Sequence, residues 1–407
     1  MRRTSRHSAT TTVEPYLTSY RWIILAIVWM LYAAFGLVMR SISPVVSPML
    51  QDLNMSYSEM GVILGSWQLV YIPFSVLAGV AMDRWGLRKT LFVGALIVAL
   101  SEGIRYFATG FGSLLPMVAV FGIGGPLISV GAPKAIAVWF RGNDRSTAVG
   151  VYTTAPWIGG LFALAATNSL MMPLAGQSWR LVFMWYGLFS LAFGLIWWIL
   201  ARDIKTIGTS GGMSTKAFFA RIIRARNPRI IFFGGLMALF VDHGFSNWLP
   251  KMLENAGFSP ESAGFTASIP FMVAIPSVFL IPRLTPHRFR GRAVAILALM
   301  TTASLLLAIS NSPLLLRIGL VFYGISTPSL LPMLMLLLMD DPEVGPERMG
   351  LAGGLFFAIS EIGGFSGPLL MGTIADATGV FWPGVMCLGA GGLLLSASMF
   401  LLKRKPH

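Results

Sequence analysis

Long apolar runs separated by short polar stretches dominate the chain. Runs of about 20 mostly apolar residues, the length a helix needs to cross a bilayer core, fall near 22–46, 57–80, 90–110, 113–138, 146–170 and 179–201. A second set follows near 229–252, 260–283, 292–311, 313–338, 349–374 and 380–402. These runs are too long and too poor in charge for a soluble core, so the pattern predicts an all-α membrane protein with twelve transmembrane helices in two six-helix halves. The expected organisation is a tail at 1–20, a first half at 21–201, a linker at 202–228, a second half at 229–402 and a short tail at 403–407. The linker carries Gly208-Thr-Ser-Gly-Gly and then Lys216, Arg221, Arg224 and Arg226. Part of it is expected to lie as an amphipathic helix on the inner membrane surface.

Composition strengthens this picture. Of 407 residues, 55% are hydrophobic and 11% charged, with a mean hydropathy of +0.74, outside the range of soluble domains. The net charge of +14 could suggest nucleic acid, but Lys and Arg sit in short clusters between apolar runs and form no basic face. They read as topology signals. With both termini cytoplasmic, 25 of the 30 Lys and Arg fall on the inner side, and Arg40, Arg105, Arg180, Lys251 and Arg317 are the exceptions. Arg2, Arg3 and Arg6 precede an apolar stretch without a small-residue cleavage site, so no signal peptide is expected. The lone Cys387 and four scattered histidines leave no thiolate or structural metal site, and no cofactor is expected. No clustered nucleophile and base suggests an enzyme, and no Walker-type loop suggests ATP-driven pumping. The architecture points to a multi-pass protein of a prokaryotic inner membrane, working as a monomer in the lipid bilayer.

Between the second and third runs lies Gly79-Val-Ala-Met-Asp-Arg-Trp-Gly-Leu-Arg-Lys89. It resembles the G-x-x-x-D-R-x-G-x-R-[RK] loop between helices 2 and 3 of the major facilitator superfamily. That resemblance implies alternating access between two halves and a gate built from Asp83, Arg84 and Arg88, with Arg141 or Arg145 of the loop after helix 4 as partners. The halves echo each other: Tyr71-Ile-Pro-Phe-Ser is matched by Ala274-Ile-Pro-Ser, which leads to Arg283, His287, Arg288, Arg290 and Arg292. The echo fits the parallel repeat of that family, whose substrates bind between the halves near the midplane. Ala155-Pro-Trp-Ile-Gly-Gly160 is similar to the tail of an exchanger motif, or is a kink that lets helices approach closely. Gly36-Leu-Val-Met-Arg-Ser-Ile-Ser-Pro44 and Glu102-Gly-Ile-Arg-Tyr look like segments of the cyanate and nitroimidazole permease branch. Arg40 also matches the helix 1 arginine of the anion:cation symporters, though Met39 stands where their acid does.

Charges within the bilayer cost at least about 2.5 kcal/mol each, so each needs a reason. A buried Arg40 would bind a carboxylate or other small anion through its guanidinium fork, and otherwise is an interfacial arginine that snorkels. Glu102 and Arg105, three apart, share a helix face and suggest a local ion pair. Asp242 and His243 in helix 7 and the isolated Glu361 in helix 11 are the candidates for proton coupling. Trp67, Tyr71, Tyr152, Asn247, Trp248 and Tyr323 are the candidate substrate contacts, with Gln68 and Trp157 as further lining groups. The favoured function is a secondary transporter of a small organic or cyanate-like anion, taken up with protons because anion entry opposes a negative interior. The alternative is a proton-coupled exporter of amphipathic or cationic compounds.

Overall fold

The computed structural model describes residues 19–202, 221–310, 312–344 and 349–403, without the side chains of 76, 83, 143, 349 and 350. Nearly all of it is helix. The long helices are α1 (Tyr20–Arg40), α2 (Tyr57–Trp85), α3 (Leu87–Ile104), α4 (Phe111–Trp139, with a turn at Val120), α5 (Gly142–Ala166) and α6 (Trp179–Leu200). There follow α7 (Arg226–Asn255), α8 (Pro260–Leu284), α9 (Arg290–Ala308), α10 (Pro313–Met339), α11 (Met349–Thr378) and α12 (Trp382–Met399). Among the described residues, 11 helices are long and apolar enough to cross a membrane. The other long helix is α2, with 29 residues and Gln68 near its middle. Most of the linker expected to hold an amphipathic helix lies outside the described residues.

Local chemistry sets the boundaries. Ser56 and Glu59 form a capping box that opens α2, the Ser56 hydroxyl accepting from Glu59 N at 3.2 Å and Glu59 accepting from Ser56 N at 2.9 Å. Gly86, at φ 82°, permits the sharp turn from α2 into α3 inside the charged loop. The first apolar run is not one helix: α1 stops at Arg40, and Pro44 enters a 3-10 turn that leads to a short helix at Val46–Asp52. A π-helical turn at Thr167–Met171 follows α5, and its Asn168 donates to the carbonyls of Pro44 and Pro260.

Helices α1 to α6 pack among themselves, chiefly α1 on α5, α3 on α4 and α6, and α2 on α4. The last six do likewise, with α7 on α11 and α12, α9 on α10 and α12, and α8 on α10. The two groups meet along α2 with α11 and α5 with α8. Small residues allow these crossings: a Cβ at Gly61 would lie 2.7 Å from Pro368 O, and one at Gly65 would lie 2.8 Å from Phe365 O. At the end bearing Tyr57, the junction is polar. Asp376 of α11 accepts from the free amides of Tyr57 (2.9 Å) and Ser58 (2.7 Å) at the start of α2, and Lys251 of α7 donates to Ser47 Oγ at 2.9 Å. At the opposite end the last six helices hold an apolar cluster of their own, including Phe232, Met333, Leu338, Phe356 and Met399.

Candidate functional site

The polar residues of α1, α2, α7, α10 and α11 converge where the first six helices meet the last six. Arg40 ends α1 and is only 3% exposed, so it is buried within the helix bundle and does not reach out from its surface. Its Nη1 donates to Asn247 Oδ1 at 2.7 Å and its Nη2 reaches Asp242 Oδ2 at 3.3 Å, both on α7. The guanidinium also lies 5.3 Å from the centre of the Phe271 ring of α8. Asp242 receives the Tyr323 hydroxyl of α10 at 3.3 Å on Oδ1. The burial needs this many partners, since an unpaired charge here would cost several kcal/mol.

His243 lies beside this pair, its Nε2 3.7 Å from Asp242 Oδ2. Its Nδ1 is 2.7 Å from the Gln68 amide nitrogen of α2, and the Trp67 ring centre is 5.9 Å from its own. Glu361 of α11 is 7% exposed, and its Oε2 has no hydrogen-bond partner among the described residues. Gly364 separates the two groups: a Cβ there would lie 2.8 Å from Glu361 Oε2 and 3.1 Å from His243 Nδ1. Arg40, Asp242, His243 and Glu361 therefore form one cluster, joined by Gln68, Asn247 and Tyr323. Gln68 Oε1 and Arg40 Nε are likewise buried without a partner among the described residues.

Of the remaining sequence candidates, Tyr71 borders the cluster through Trp67, and Tyr152 and Trp248 make their contacts away from Arg40. Tyr71 exchanges a hydrogen bond with Ser129 at 2.8 Å and meets Trp67 edge-on. Tyr152 stacks on Tyr32 at 6.2 Å. Trp248 is fully buried, donates to Pro368 O at 3.0 Å and packs on Tyr57 and Phe381, so its contacts join α7, α11 and α2 and not the Arg40 cluster. In the charged loop, Arg88 donates to Trp198 O of α6 (2.5 and 3.1 Å) and lies over the Trp198 ring, while Arg84, Arg141 and Arg145 are exposed. The side chain of Asp83 lies outside the described residues. Glu102 and Arg105 do form a local ion pair, at 2.5 Å and fully buried, and Arg105 also donates to Ser41 Oγ at 3.0 Å.

Phe271, Ser43 and Gly364 belong to the site but carry no sequence signal. Ser43 donates to Asn247 Oδ1 at 3.4 Å, and neither a serine in an apolar run nor one phenylalanine among 28 stands out.

A bundle of membrane-length helices with a charged, buried centre where two helix groups meet defines a solute transporter and not an enzyme. The chain belongs to the major facilitator superfamily, whose sequence pattern it matches over residues 28–368. It is 25% identical over 387 residues to the hexuronate transporter of Bacillus subtilis (strain 168), covering 89% of this chain and 90% of that one. Similarity to the D-galactonate transporter of Escherichia coli O6:H1 is 24% over 389 residues, with 86% and 88% covered. Among solved structures, the nucleoside transporter NupG superposes with a TM-score of 0.77 over 95% of this chain and all of that one, at 14% identity. The human organic anion transporter MFSD10 does so at 0.69 over 94% and 99%, at 16% identity. These two likenesses concern the fold.

Proposed function

We propose that the protein takes up a hydroxylated organic acid anion together with protons, by alternating access of two six-helix halves at 21–201 and 229–402. In this reading twelve helices span a bacterial inner membrane, α2 included, both termini are cytoplasmic, and the working unit is a monomer. The observation that carries it is Arg40: a guanidinium fork buried between the helix groups, held by one contact each to Asn247 and Asp242 of the opposite half. A substrate carboxylate can replace Asp242 on Nη2 once Asp242 is neutralised by a proton. Binding and protonation are thereby linked.

The relatives support the substrate class, since hexuronate, D-galactonate and galactarate or D-glucarate each join a carboxylate to a hydroxylated chain. Glu361 Oε2, without a partner among the described residues, supplies an acceptor for a substrate hydroxyl in the same cluster. The polar closure at Tyr57, Asp376, Ser47 and Lys251 fits a state shut towards the outside, and the separate apolar cluster at the other end fits halves parted towards the inside. Asp83, Arg84, Arg88, Arg141 and Arg145 are the residues proposed to close that inner end in the alternate state.

The test is uptake into proteoliposomes of labelled D-glucuronate, D-galactonate, D-glucarate and acetate, with and without an inward proton gradient. Gradient-driven uptake of a hydroxylated acid, lost in Arg40→Ala, is the expected result. Transport of organic cations that is indifferent to Arg40→Ala would instead establish the exporter reading.

A further inference from the structure

We infer that Gln68 locks His243 in its Nε2–H tautomer while α2 is packed against α11, so this imidazole accepts a second proton only when the two helices part. The inference rests on the proton-coupled reading above and adds an order of events to it.

The geometry fixes the hydrogens. Gln68 is fully buried, and one end of its amide faces two groups, Gly364 O at 3.3 Å and His243 Nδ1 at 2.7 Å. A carbonyl oxygen only accepts, so the end facing Gly364 is the NH2 group, because the reversed amide would set two oxygens against each other. The other end, Oε1, has no partner among the described residues that would favour the reversal. The same NH2 group therefore donates to His243 Nδ1, which must present a lone pair. The single ring proton sits on Nε2, the nitrogen that lies 3.7 Å from Asp242 Oδ2. A proton on Nδ1 would face the amide donors across 2.7 Å.

The groups facing this ring come from five helices: Arg40 of α1 through Asp242, Trp67 and Gln68 of α2, Asp242 of α7, Tyr323 of α10 through Asp242, and Glu361 of α11 across Gly364. Of these, only the Gln68 amide contacts Nδ1 with a hydrogen-bonding group among the described residues. The lock draws on both helix groups, with Gln68 from the first six and Gly364 and His243 from the last six. It therefore holds only while α2 and α11 stay in register, as Gly61 and Gly65 allow against Pro368 and Phe365. Once α2 moves away, a proton can enter at Nδ1, and the Nε2 proton of the resulting imidazolium passes to the Asp242 carboxylate. One proton enters and one carboxylate is neutralised, which frees Arg40 for the substrate anion. Gln68 is a positioning residue that makes proton loading conditional on the opening of one junction.

The experiment uses the full chain carrying His7→Gln, His287→Gln and His407→Gln, with 15N-labelled histidine, in lipid nanodiscs. The ring nitrogen shifts of His243 should report the Nε2–H tautomer. Gln68→Glu, whose carboxylate can accept from Nδ1–H, should move the proton to Nδ1. Gln68→Met, which removes the donor at similar length, should give a mixture of tautomers. In proteoliposomes, Gln68→Glu should keep substrate counterflow while gradient-driven accumulation falls towards equal concentrations on the two sides. An Nδ1–H tautomer in the parent chain, or a tautomer unchanged in both Gln68 variants, overturns the inference. So does counterflow that falls as much as accumulation, which would make Gln68 a substrate contact. The nitrogen spectrum does not depend on Arg40 binding an anion, so the two readings fail separately.

Discussion

Asp242→Asn should make the protein bind its anion more tightly while breaking the link to protons. The substitution is nearly isosteric: its one side-chain oxygen can stay on Arg40 Nη2, while the Tyr323 hydroxyl keeps the backbone carbonyl of residue 242 at 3.3 Å and faces the new amide NH2. What it removes is the carboxylate proposed to compete with substrate for the guanidinium. The size of the effect follows from the contact. At 3.3 Å it is longer than the 2.7 to 2.9 Å usual for charged pairs, so its worth is near the lower end of the range, about 1.5 kcal/mol. Arg40 keeps its 2.7 Å bond to Asn247, so its position is retained. Freed of the competitor, the dissociation constant for D-glucuronate or D-galactonate should fall about tenfold. Titration calorimetry of parent and variant at neutral pH reads this directly, with Arg40→Ala as the non-binding control. Flux in the variant should continue as counterflow and lose its dependence on the proton gradient. A dissociation constant that is unchanged or weaker would show that Asp242 does not compete for Arg40, and the exchange of one carboxylate for another would fail as the coupling step.

Arg105→Met strands Glu102 as a buried carboxylate and should cost about 3 to 5 kcal/mol of stability, much of it regained in Glu102→Gln/Arg105→Met; thermal unfolding in detergent compares them. Asp376→Asn removes the carboxylate that accepts from the amides of Tyr57 and Ser58, a loss of about 1 kcal/mol. A bias of that size should raise labelling of Met55→Cys, a residue buried at this junction, by an impermeant maleimide in a Cys387→Ala background about fivefold. Gly372→Ala should do the same more strongly, because its Cβ would press into the Tyr57 carbonyl and force α2 off α11. Labelling equal to the parent in both variants would refute a closure built on this junction.

The helices were legible because apolar runs of bilayer length have few other outcomes in water or lipid. The break at Pro44 was missed, since Ser43, Pro44 and Val45 sit inside a run that stays apolar through Met49. Of the candidate cluster, Arg40, Asp242 and Glu361 stand out in the sequence as charges where charge is costly, and His243, Asn247, Tyr323, Trp67 and Gln68 as polar or aromatic groups on the same apolar runs. Their mutual arrangement was not legible. Asp242 and Arg40 are 202 positions apart, and nothing local in either run points to the other. Neighbours in sequence can also mislead, as Trp248 follows Asn247 directly yet lies around the helix against Pro368 and Phe381 while Asn247 faces Arg40. Gly364 reads as a packing glycine, and only the fold shows that its missing side chain is what lets Glu361 and His243 share a space.

The two buried arginines among the described residues, Arg40 and Arg105, sort the membrane charges into fixed and exchangeable ones. Arg105 and Glu102 belong to the same helix region, three residues apart at 2.5 Å, so no movement of α1 to α6 against α7 to α12 changes their separation. That pair can be as tight as packing allows without affecting transport. Arg40 spans the junction proposed to move, and there strength would be a fault. A short bidentate pair with Asp242 would hold the two helix groups together by several kcal/mol and slow every cycle. The structure instead divides the guanidinium between a neutral amide at 2.7 Å and a carboxylate at 3.3 Å, and leaves Nε without a partner among the described residues. Such an arrangement keeps the charge satisfied enough to be buried, yet open to a competing anion. An Asn247→Asp variant, which would offer Arg40 a second carboxylate, should therefore lock the junction: higher thermal stability, weaker anion binding and slower counterflow together. Faster counterflow in that variant would contradict the argument.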